Sequence, residues 1–305
     1  MTIRAFVKKT LGRAIFETNT YRFLSLTIPD SWPYVPLGDY LNIDKLLLFW
    51  KVSAHALQNY ASLSMAYDLT ASVEKNKLAG AIVECGVWRG GCAAVMATVA
   101  DKAESNRRVW LFDSFEGMPA ATKEDVGEEA KQLSRGVMSG ALSLVGTLMA
   151  SVDEVRTLLF KKLRLKEDNI TIVKGWFQNT LPLYRDCIGA IAILRVDGDW
   201  YESTKVCLES LYDNVVNEGY IIIDDYGFYP GCKKAVDDFL ERRRLKVQLT
   251  RSITLEFISR RYRVPRLWPA IDRKPTVISG MPSRVRQHRN SGVFTRPEGR
   301  RQRCC

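Results

Sequence analysis

The most informative segment of the chain is IAILRVDGDWYEST, residues 191–204. Its first six residues form a short apolar run, which is typical of a strand covered on both faces of a sheet. A second run, Tyr220–Ile223, leads directly into the pair Asp224-Asp225, and residues 203–214 between them have a helical pattern. Strand, helix, strand predicts a right-handed crossover, so the two strands run parallel and their carboxyl ends share one edge.

Four aspartates fall at that shared edge, where open α/β sheets bind ligands. They are Asp197, Asp199, Asp224 and Asp225. Crowded carboxylates repel one another, and a hard divalent cation with oxygen ligands, usually Mg²⁺, relieves that repulsion. The alternative is that these residues cap helices and turns, as aspartates after strands often do. Two acidic pairs at adjacent strand ends favour the metal site.

An earlier strand and turn predict a second ligand. Residues 79–85 (AGAIVEC) indicate the first strand, which runs into a glycine-rich turn and an alanine-rich helix over residues 92–102. The pattern Glu84-x-Gly86-x-x-x-Gly90 differs from the dinucleotide fingerprint G-x-G-x-x-G. An acid at the strand end followed by G-x-x-x-G indicates instead a site for S-adenosylmethionine (SAM). A structural turn that is merely rich in glycine is the alternative.

The next strand supports that interpretation. Residues 108–112 (RVWLF) end at Asp113, where an acid is placed to accept hydrogen bonds from the ribose hydroxyls of a nucleoside. Capping of the following helix is an equally compatible role for Asp113. Strand three is predicted at Ile170–Lys174, and Trp176 and Phe177 after it are candidates to flank an adenine or to join the core.

The other elements extend this α/β pattern. Residues 41–78 predict two helices before the first strand, and the long insertion 116–165 predicts a lid that contains a clear helix at Val152–Leu163. Two final strands, 246–250 and 253–259, are predicted around a tight turn at Arg251-Ser252. A hairpin that closes a parallel sheet is characteristic of SAM-dependent methyltransferases.

Composition bounds the domain organisation. The 305-residue chain is 46% hydrophobic, enough for a sizeable core, and has a net charge of +11. Residues 264–305 carry ten Lys/Arg and two acids, so most of the charge lies there. We expect an N-terminal helix and connector at 1–38, a methyltransferase domain with its helical layer at 39–263, and a basic, disordered tail at 264–305.

The cysteine and histidine content disfavours zinc and histidine-based sites, and the absence of an apparent signal or membrane-spanning run predicts a cytoplasmic location. The seven cysteines lack the spacing of a zinc site, and two histidines make a His-based triad or multi-His metal site improbable. No cleavable signal is apparent, and no apolar run reaches the ~20 residues that span a bilayer, so a cytoplasmic location is predicted. The basic amphipathic pattern at 1–17 fits a helix over a core or in a homodimer, or peripheral membrane contact.

Five ordered motifs resemble the macrocin O-methyltransferase (TylF/MycF-like) family, whose members methylate sugar hydroxyls in natural products. They are ECGVWRGG at 84–91, LFDSFEGMP at 111–119, KGWFQNTLP at 174–182, RVDGDWYEST at 195–204 and IIIDDYG at 221–227. The resemblance covers about residues 40–260. Cys92 departs mildly from the family pattern, in which a small Ser is familiar at that position.

The resemblance implies a class I SAM-dependent methyltransferase fold. That fold is Rossmann-like, with a seven-stranded, mostly parallel sheet and a terminal antiparallel hairpin, here preceded by N-terminal helices. It also implies SAM and Mg²⁺ as cofactors and a specific set of site residues. Asp197, Asp224 and Asp225 match the metal ligands, Asp199 matches the general base, and Glu84, Gly86, Gly90 and Asp113 match SAM-binding positions.

The predicted function is therefore SAM-dependent, Mg²⁺-assisted O-methylation of a sugar hydroxyl on a glycosylated natural product or glycan. Two alternatives compete with it. An RNA or DNA methyltransferase would bind phosphates with the basic tail, but the aspartates at the carboxyl ends of the strands would repel a nucleic-acid backbone. A catalytically inactive binding protein with a SAM fold is disfavoured because the carboxylates are intact.

Overall fold

The computed structural model describes residue 35 and the ranges 37–126, 148–245, 250–251 and 257–260. All of its elements lie in the first of the two units of the chain, Met1–Tyr262. The predicted helix at 1–17, the middle of the predicted lid and the predicted basic tail lie outside the described residues, so those interpretations stay predictions.

The centre of the fold is a seven-stranded sheet in the order β3-β2-β1-β4-β5-β7-β6. Five strands run parallel, and the last two pair antiparallel at one edge. This is the predicted fold class. The strands are β1 Ala81–Cys85, β2 Val109–Asp113, β3 Ile170–Lys174, β4 Ile191–Val196, β5 Val215–Ile223, β6 Thr250–Arg251 and β7 Phe257–Arg260.

Helices cover both faces of the sheet. The α-helices are α1 Ile43–Val52, α2 Tyr60–Lys75, α3 Gly91–Lys102, α4 Val152–Arg156, α5 Phe177–Ile188, α6 Tyr201–Leu211 and α7 Pro230–Arg242. Short 3₁₀-helices lie at Leu37–Leu41, Ser53–His55, Glu167–Asn169 and Tyr212–Asn214. None of the helices in the described part of the chain is long and apolar enough to cross a bilayer.

Strands β1 and β4 are buried along their whole length, as their apolar runs predict. In β1, Ile82 packs into a core with α1, α2 and α3, whereas Val83 packs into a second core with α5, α6 and α7. The same alternation separates Ile193 from Leu194 in β4. Successive side chains of a strand point to opposite faces, so each parallel strand contributes to both layers of the core.

Three predicted boundaries are wrong in detail. The predicted helix Val152–Leu163 changes after α4 into a π-helix, Thr157–Lys162, in which Leu158 and Leu159 are both fully buried. β5 begins at Val215, five residues before the predicted start. The predicted turn at Arg251-Ser252 is wrong at Arg251, which pairs with Phe257 as part of β6.

Candidate active site

A cavity of about 790 Å³ lies at the carboxyl ends of the parallel strands. It is lined by the loops that follow β1 to β5 and by the segment that precedes α2. Seven of the eight predicted site residues line it: Glu84, Gly86, Asp113, Asp197, Asp199, Asp224 and Asp225. The fold therefore brings together residues that are spread over nearly half of the sequence.

Gly86 allows β1 and β4 to meet beneath the cavity. The Asp197 N–H donates to the Cys85 carbonyl at 2.8 Å, which brings the two strand ends together. A Cβ at position 86 would lie 1.7 Å from the Asp197 carbonyl oxygen, and the φ of +92° is itself in the left-handed region. Only glycine fits here, and the predicted SAM turn consequently abuts the predicted metal site.

The eighth predicted residue, Gly90, is the N-cap of α3, with a φ of +85°. A Cβ there would lie 3.1 Å from the Val155 side chain, so it lets α4 pack against the turn. The turn is also held by Asp113, which accepts the backbone N–H groups of Val87 and Trp88 at 2.7 and 2.9 Å. Its other oxygen accepts the Phe115 N–H at 2.7 Å. Asp113 thus shapes the backbone of the turn while lining the cavity.

Three carboxylates converge in the cavity. Asp197, Asp199 and Asp225 each offer one oxygen, and these oxygens all lie within 4.8 Å of one another. The Asp199 N–H donates to Asp225 Oδ2 at 3.1 Å, and Asp199 has a φ of +57°, a conformation that Asp tolerates better than most residues. An all-oxygen donor set fits a hard divalent cation such as Mg²⁺.

Asp224, predicted as a metal ligand, lies instead against Arg195. The Arg195 side chain is 2% exposed and donates to Glu84 Oε1 at 2.7 Å and to Asp197 Oδ2 at 2.8 Å. Its second terminal nitrogen donates to Asp224 Oδ1. A planar guanidinium suits this arrangement because its fixed fork of donors reaches several carboxylates at once.

Sequence reasoning missed the role of Arg195, although a signal was present. It is the one charged residue in the otherwise apolar run IAILRV. A charge in a strand buried on both faces requires a partner, and the acids at neighbouring strand ends are the nearest candidates.

The pKa values show that negative charge is in surplus around Arg195. Burial raises the pKa of Glu84 to about 8 and that of Asp197 to about 6, and repulsion from neighbouring carboxylates adds to both shifts while Arg195 opposes them. Burial, followed by the repulsion of neighbouring acids, also raises the pKa of Asp199 and of Asp225. One guanidinium does not neutralise this group, so a bound cation would be stabilised.

Other residues of the cavity fit a ligand with hydrogen-bond donors and an aromatic ring. The second carboxylate oxygen of Glu84, Oε2, is buried without a hydrogen-bond partner in the described structure. Buried polar atoms are normally paired, so this oxygen is available to a donor on a ligand. Trp176 and Phe177 line the same cavity. These features fit SAM, which carries an amino group and an adenine.

Gln58 is a second residue that the sequence did not reveal. It lies in the segment between α1 and α2 and lines the cavity. Its side-chain amide donates to Asp197 Oδ2 at 3.1 Å across 139 residues of sequence. No local pattern links residues so far apart in the chain.

Asp125 anchors a further wall of the cavity. It is 7% exposed, and its Oδ1 accepts the Tyr201 N–H at 2.7 Å at the start of α6. A Cβ on Gly231, at the start of α7, would lie 1.9 Å from that same oxygen. The Trp200 indole N–H donates to the Pro119 carbonyl at 2.9 Å, so residues 114–126 are fastened to both helices beside the carboxylates.

Comparisons with known proteins identify the family of this chain. The sequence profile described as Macrocin-O-methyltransferase (TylF) matches residues 49–255. Demethyldecarbamoylnovobiocin O-methyltransferase of Streptomyces niveus is 36% identical over 191 residues, 62% of this chain and 69% of the relative. Mycinamicin III 3''-O-methyltransferase of Micromonospora griseorubida is 31% identical over 198 residues, 64% of this chain and 74% of the relative.

Solved structures show the same fold. The O-methyltransferase NovP superposes with a TM-score of 0.60 at 32% identity, covering 68% of this chain and 83% of NovP. The calicheamicin methyltransferase CalS11 superposes with a TM-score of 0.51 at 22% identity, covering 83% of this chain and 96% of CalS11, and supports the fold alone. The chain therefore belongs to the macrocin O-methyltransferase family, and it is an O-methyltransferase with the class I SAM-dependent methyltransferase fold.

Proposed function

We propose that this enzyme transfers a methyl group from SAM to a sugar hydroxyl of a glycosylated natural product or glycan, with the assistance of Mg²⁺. The observation that carries the proposal is the convergence of three carboxylates in the cavity. Its family relatives support the acceptor class, because they include a mycinamicin 3''-O-methyltransferase and a 4'-O-methyltransferase of a rhamnosyl-tetracenomycin.

We assign the metal to Asp197, Asp224 and Asp225, and the general base to Asp199. In the described structure Asp199 rather than Asp224 completes the close triad, while Asp224 shares Arg195 with Asp197. The four carboxylates therefore offer more oxygens than three ligands require. That surplus is consistent with one carboxylate remaining outside the metal's ligand set to accept a proton.

We assign the SAM site to the first two strand ends. Glu84 offers its unpartnered Oε2 to a donor, and Asp113 offers the remaining lone pairs of a carboxylate already fixed by three backbone N–H groups. Gly86 and Gly90 shape the turn between them. The Gly86 contact with Asp197 keeps the two halves of the site adjacent, as a direct transfer between two bound molecules requires.

The protein itself supplies the group that accepts the hydroxyl proton and the cavity wall that excludes bulk water. When bound, SAM supplies the methyl group and Mg²⁺ stabilises the negative charge that develops on the acceptor oxygen. A carboxylate oxygen of Asp199 accepts the hydroxyl proton as the carbon–sulfur bond breaks and the carbon–oxygen bond forms. Residues 114–119 and the segment before α2 line the cavity, which limits bulk water around these charges.

The test is transfer of labelled methyl from SAM to a panel of free, nucleotide-linked and lipid-linked glycosides and glycosylated natural products, with Mg²⁺ or with EDTA. We expect transfer to a sugar oxygen that requires both Mg²⁺ and Asp197, so that Asp197→Asn is inactive. Asp186→Asn, an exposed change on α5, serves as the matched control and retains activity. Transfer that is indifferent to EDTA and to Asp197→Asn would overturn the metal assignment.

The remaining predictions concern the setting of the enzyme rather than its chemistry. The cytoplasmic location, the homodimer and the peripheral membrane contact stay predictions from the sequence. The fold and the cavity described above neither depend on them nor test them.

A further inference from the structure

The protein holds one oxygen of Asp197 with two separate donors. Gln58 Nε2 donates to Asp197 Oδ2 at 3.1 Å, and Arg195 donates to the same oxygen at 2.8 Å. The two donors come from different elements of the fold, one from the segment before α2 and one from β4. A carboxylate held at one oxygen by two donors has little freedom to rotate, and its other oxygen, Oδ1, is thereby fixed in direction.

The support behind Gln58 is rigid. The segment that carries it packs so closely on α3 that a Cβ on Gly91 would lie 2.5 Å from both the Ala56 Cβ and the His55 carbonyl oxygen. The next residue, Asn59, caps α2 by accepting the Ser62 N–H at 3.1 Å. Gln58 is therefore placed by a helix cap on one side and by a tight backbone contact on the other.

The two donors differ in what they contribute. Arg195 brings a positive charge that it shares with Glu84 and Asp224. Gln58 is neutral, and its side chain makes one described hydrogen bond, to Asp197. Loss of Gln58 consequently changes the orientation of Asp197 without changing the charge of the cluster.

We propose that Gln58 is a positioning residue for the metal site, which acts with Arg195 to hold Asp197 Oδ2 and so present Oδ1 to a divalent cation. This inference rests on the proposed metal-assisted function. It makes the helical layer before β1 part of the metal site, although none of the predicted ligands comes from that layer. Residues that hydrogen-bond a metal ligand typically affect metal affinity by about 10–100-fold when they are replaced.

The experiment compares Gln58→Met with Gln178→Met. Gln178 lines the same cavity and forms no hydrogen bond to the carboxylates in the described structure, so its replacement controls for the loss of an amide from the wall. Mn²⁺ binding is measured by electron paramagnetic resonance, Mg²⁺ by competition, and S-adenosylhomocysteine binding by calorimetry in metal-free buffer. Methionine keeps the length of the side chain and removes only its hydrogen bonds.

We expect Gln58→Met to weaken metal binding by about tenfold. Its affinity for S-adenosylhomocysteine and its melting temperature without metal should equal those of the wild type, and Gln178→Met should leave metal binding unchanged. Equal metal affinity in Gln58→Met and wild type would overturn the proposal, as would an equal loss of both ligands. A wild type that binds neither ligand would instead overturn the proposed function itself.

Discussion

Two buried arginines lie at opposite ends of the parallel strands, Arg107 at the amino end of β2 and Arg195 at the carboxyl end of β4, and they have different partners. Arg107, just before β2, pairs with one carboxylate, Glu74 Oε1 at 2.5 Å, and donates to the backbone carbonyls of Leu78 and Gly80. Arg195, at the end of β4, pairs with three carboxylates. Both side chains are less than a tenth exposed, so burial does not distinguish the two centres.

Charge balance, rather than burial, therefore distinguishes the structural ion pair at Arg107 from the functional one at Arg195. At Arg107, one positive charge meets one negative charge, and neutral carbonyls accept the remaining N–H groups. At Arg195, the carboxylates outnumber the guanidinium and line a cavity. The surplus of buried negative charge lowers the stability of the folded protein. Such a surplus is typical of functional sites, where a bound ligand neutralises the charge.

The largest difference should appear when one carboxylate is neutralised at each centre. Asp199→Asn should lower the rate of methyl transfer by about 10²–10⁴-fold, because the side chain loses its capacity as a general base. Asn tolerates the positive φ of Asp199, so the backbone should be preserved. Glu74→Gln, which breaks the balanced pair, should leave the rate within a few-fold of the wild type. Steady-state rates at saturating SAM decide between these outcomes, and similar losses in both variants would contradict the comparison.

Removal of the arginines should separate the two centres by their response to metal. Arg195→Met and Arg107→Met should each destabilise the protein by about 3–5 kcal/mol, since each leaves a buried carboxylate unpaired. At a Mg²⁺ concentration of about 100 times the wild-type Kd, Mg²⁺ should stabilise the wild type by about 2.7 kcal/mol and Arg195→Met by more, since it becomes the sole cation among the carboxylates of that variant. It should stabilise Arg107→Met no more than it stabilises the wild type. Urea unfolding with and without Mg²⁺ provides the test.

The surplus of carboxylates around Arg195 should make the stability of the protein depend on pH. The raised pKa values of about 6 for Asp197 and about 8 for Glu84 mean that the metal-free native state holds protons that the unfolded chain releases. The contribution of Asp197 and Glu84 to stability is therefore fully present below the pKa values that these groups have in the unfolded chain. It is lost as the pH rises through about 6 for Asp197 and then about 8 for Glu84.

Metal should reverse that trend, because Mg²⁺ competes with protons for the same oxygens. The increase in melting temperature caused by Mg²⁺ should be larger at about pH 8 than at about pH 6. An increase that is independent of pH would show that Mg²⁺ binds without displacing protons from this cluster.

The smallest effect should come from two glycines outside the ion pairs. Gly91→Ala should destabilise the protein by about 1–3 kcal/mol through overpacking, and Gly189→Ala by about 1 kcal/mol because of its positive φ. A Cβ on Gly189 would meet nothing within 4 Å, so the second change is purely a backbone effect. Only Gly91→Ala should also weaken Mg²⁺ binding, since it displaces the segment that carries Gln58. Calorimetric titration of both variants measures this difference.

The sequence predicted the parts of this molecule that depend on local pattern. Strand runs, glycine spacing and the acids at strand ends follow from period and from neighbours in the chain, and the described sheet contains them at the expected edge. Arg195 was within reach of the same reasoning, since a charge in a buried strand requires a partner.

Other parts of the site were beyond such reasoning because they depend on tertiary contacts. Gln58 meets Asp197 across 139 residues, and Asp125 meets the start of α6 across 76. The π-helix at Thr157–Lys162 places Leu158 and Leu159 in the core, and no periodic pattern in the sequence distinguishes it from a regular helix. The whole fold is needed to bring such residues together.

The anchoring of residues 114–126 by Asp125 has a consequence for enzyme engineering. Asp125 fastens that wall to the starts of α6 and α7 rather than to the acidic cluster. The wall and the cluster are therefore separate modules that share a boundary. Transplanting residues 114–124 from a relative, with Asp125 and Gly231 left in place, should alter which acceptors are admitted while leaving the methyl-transfer chemistry intact.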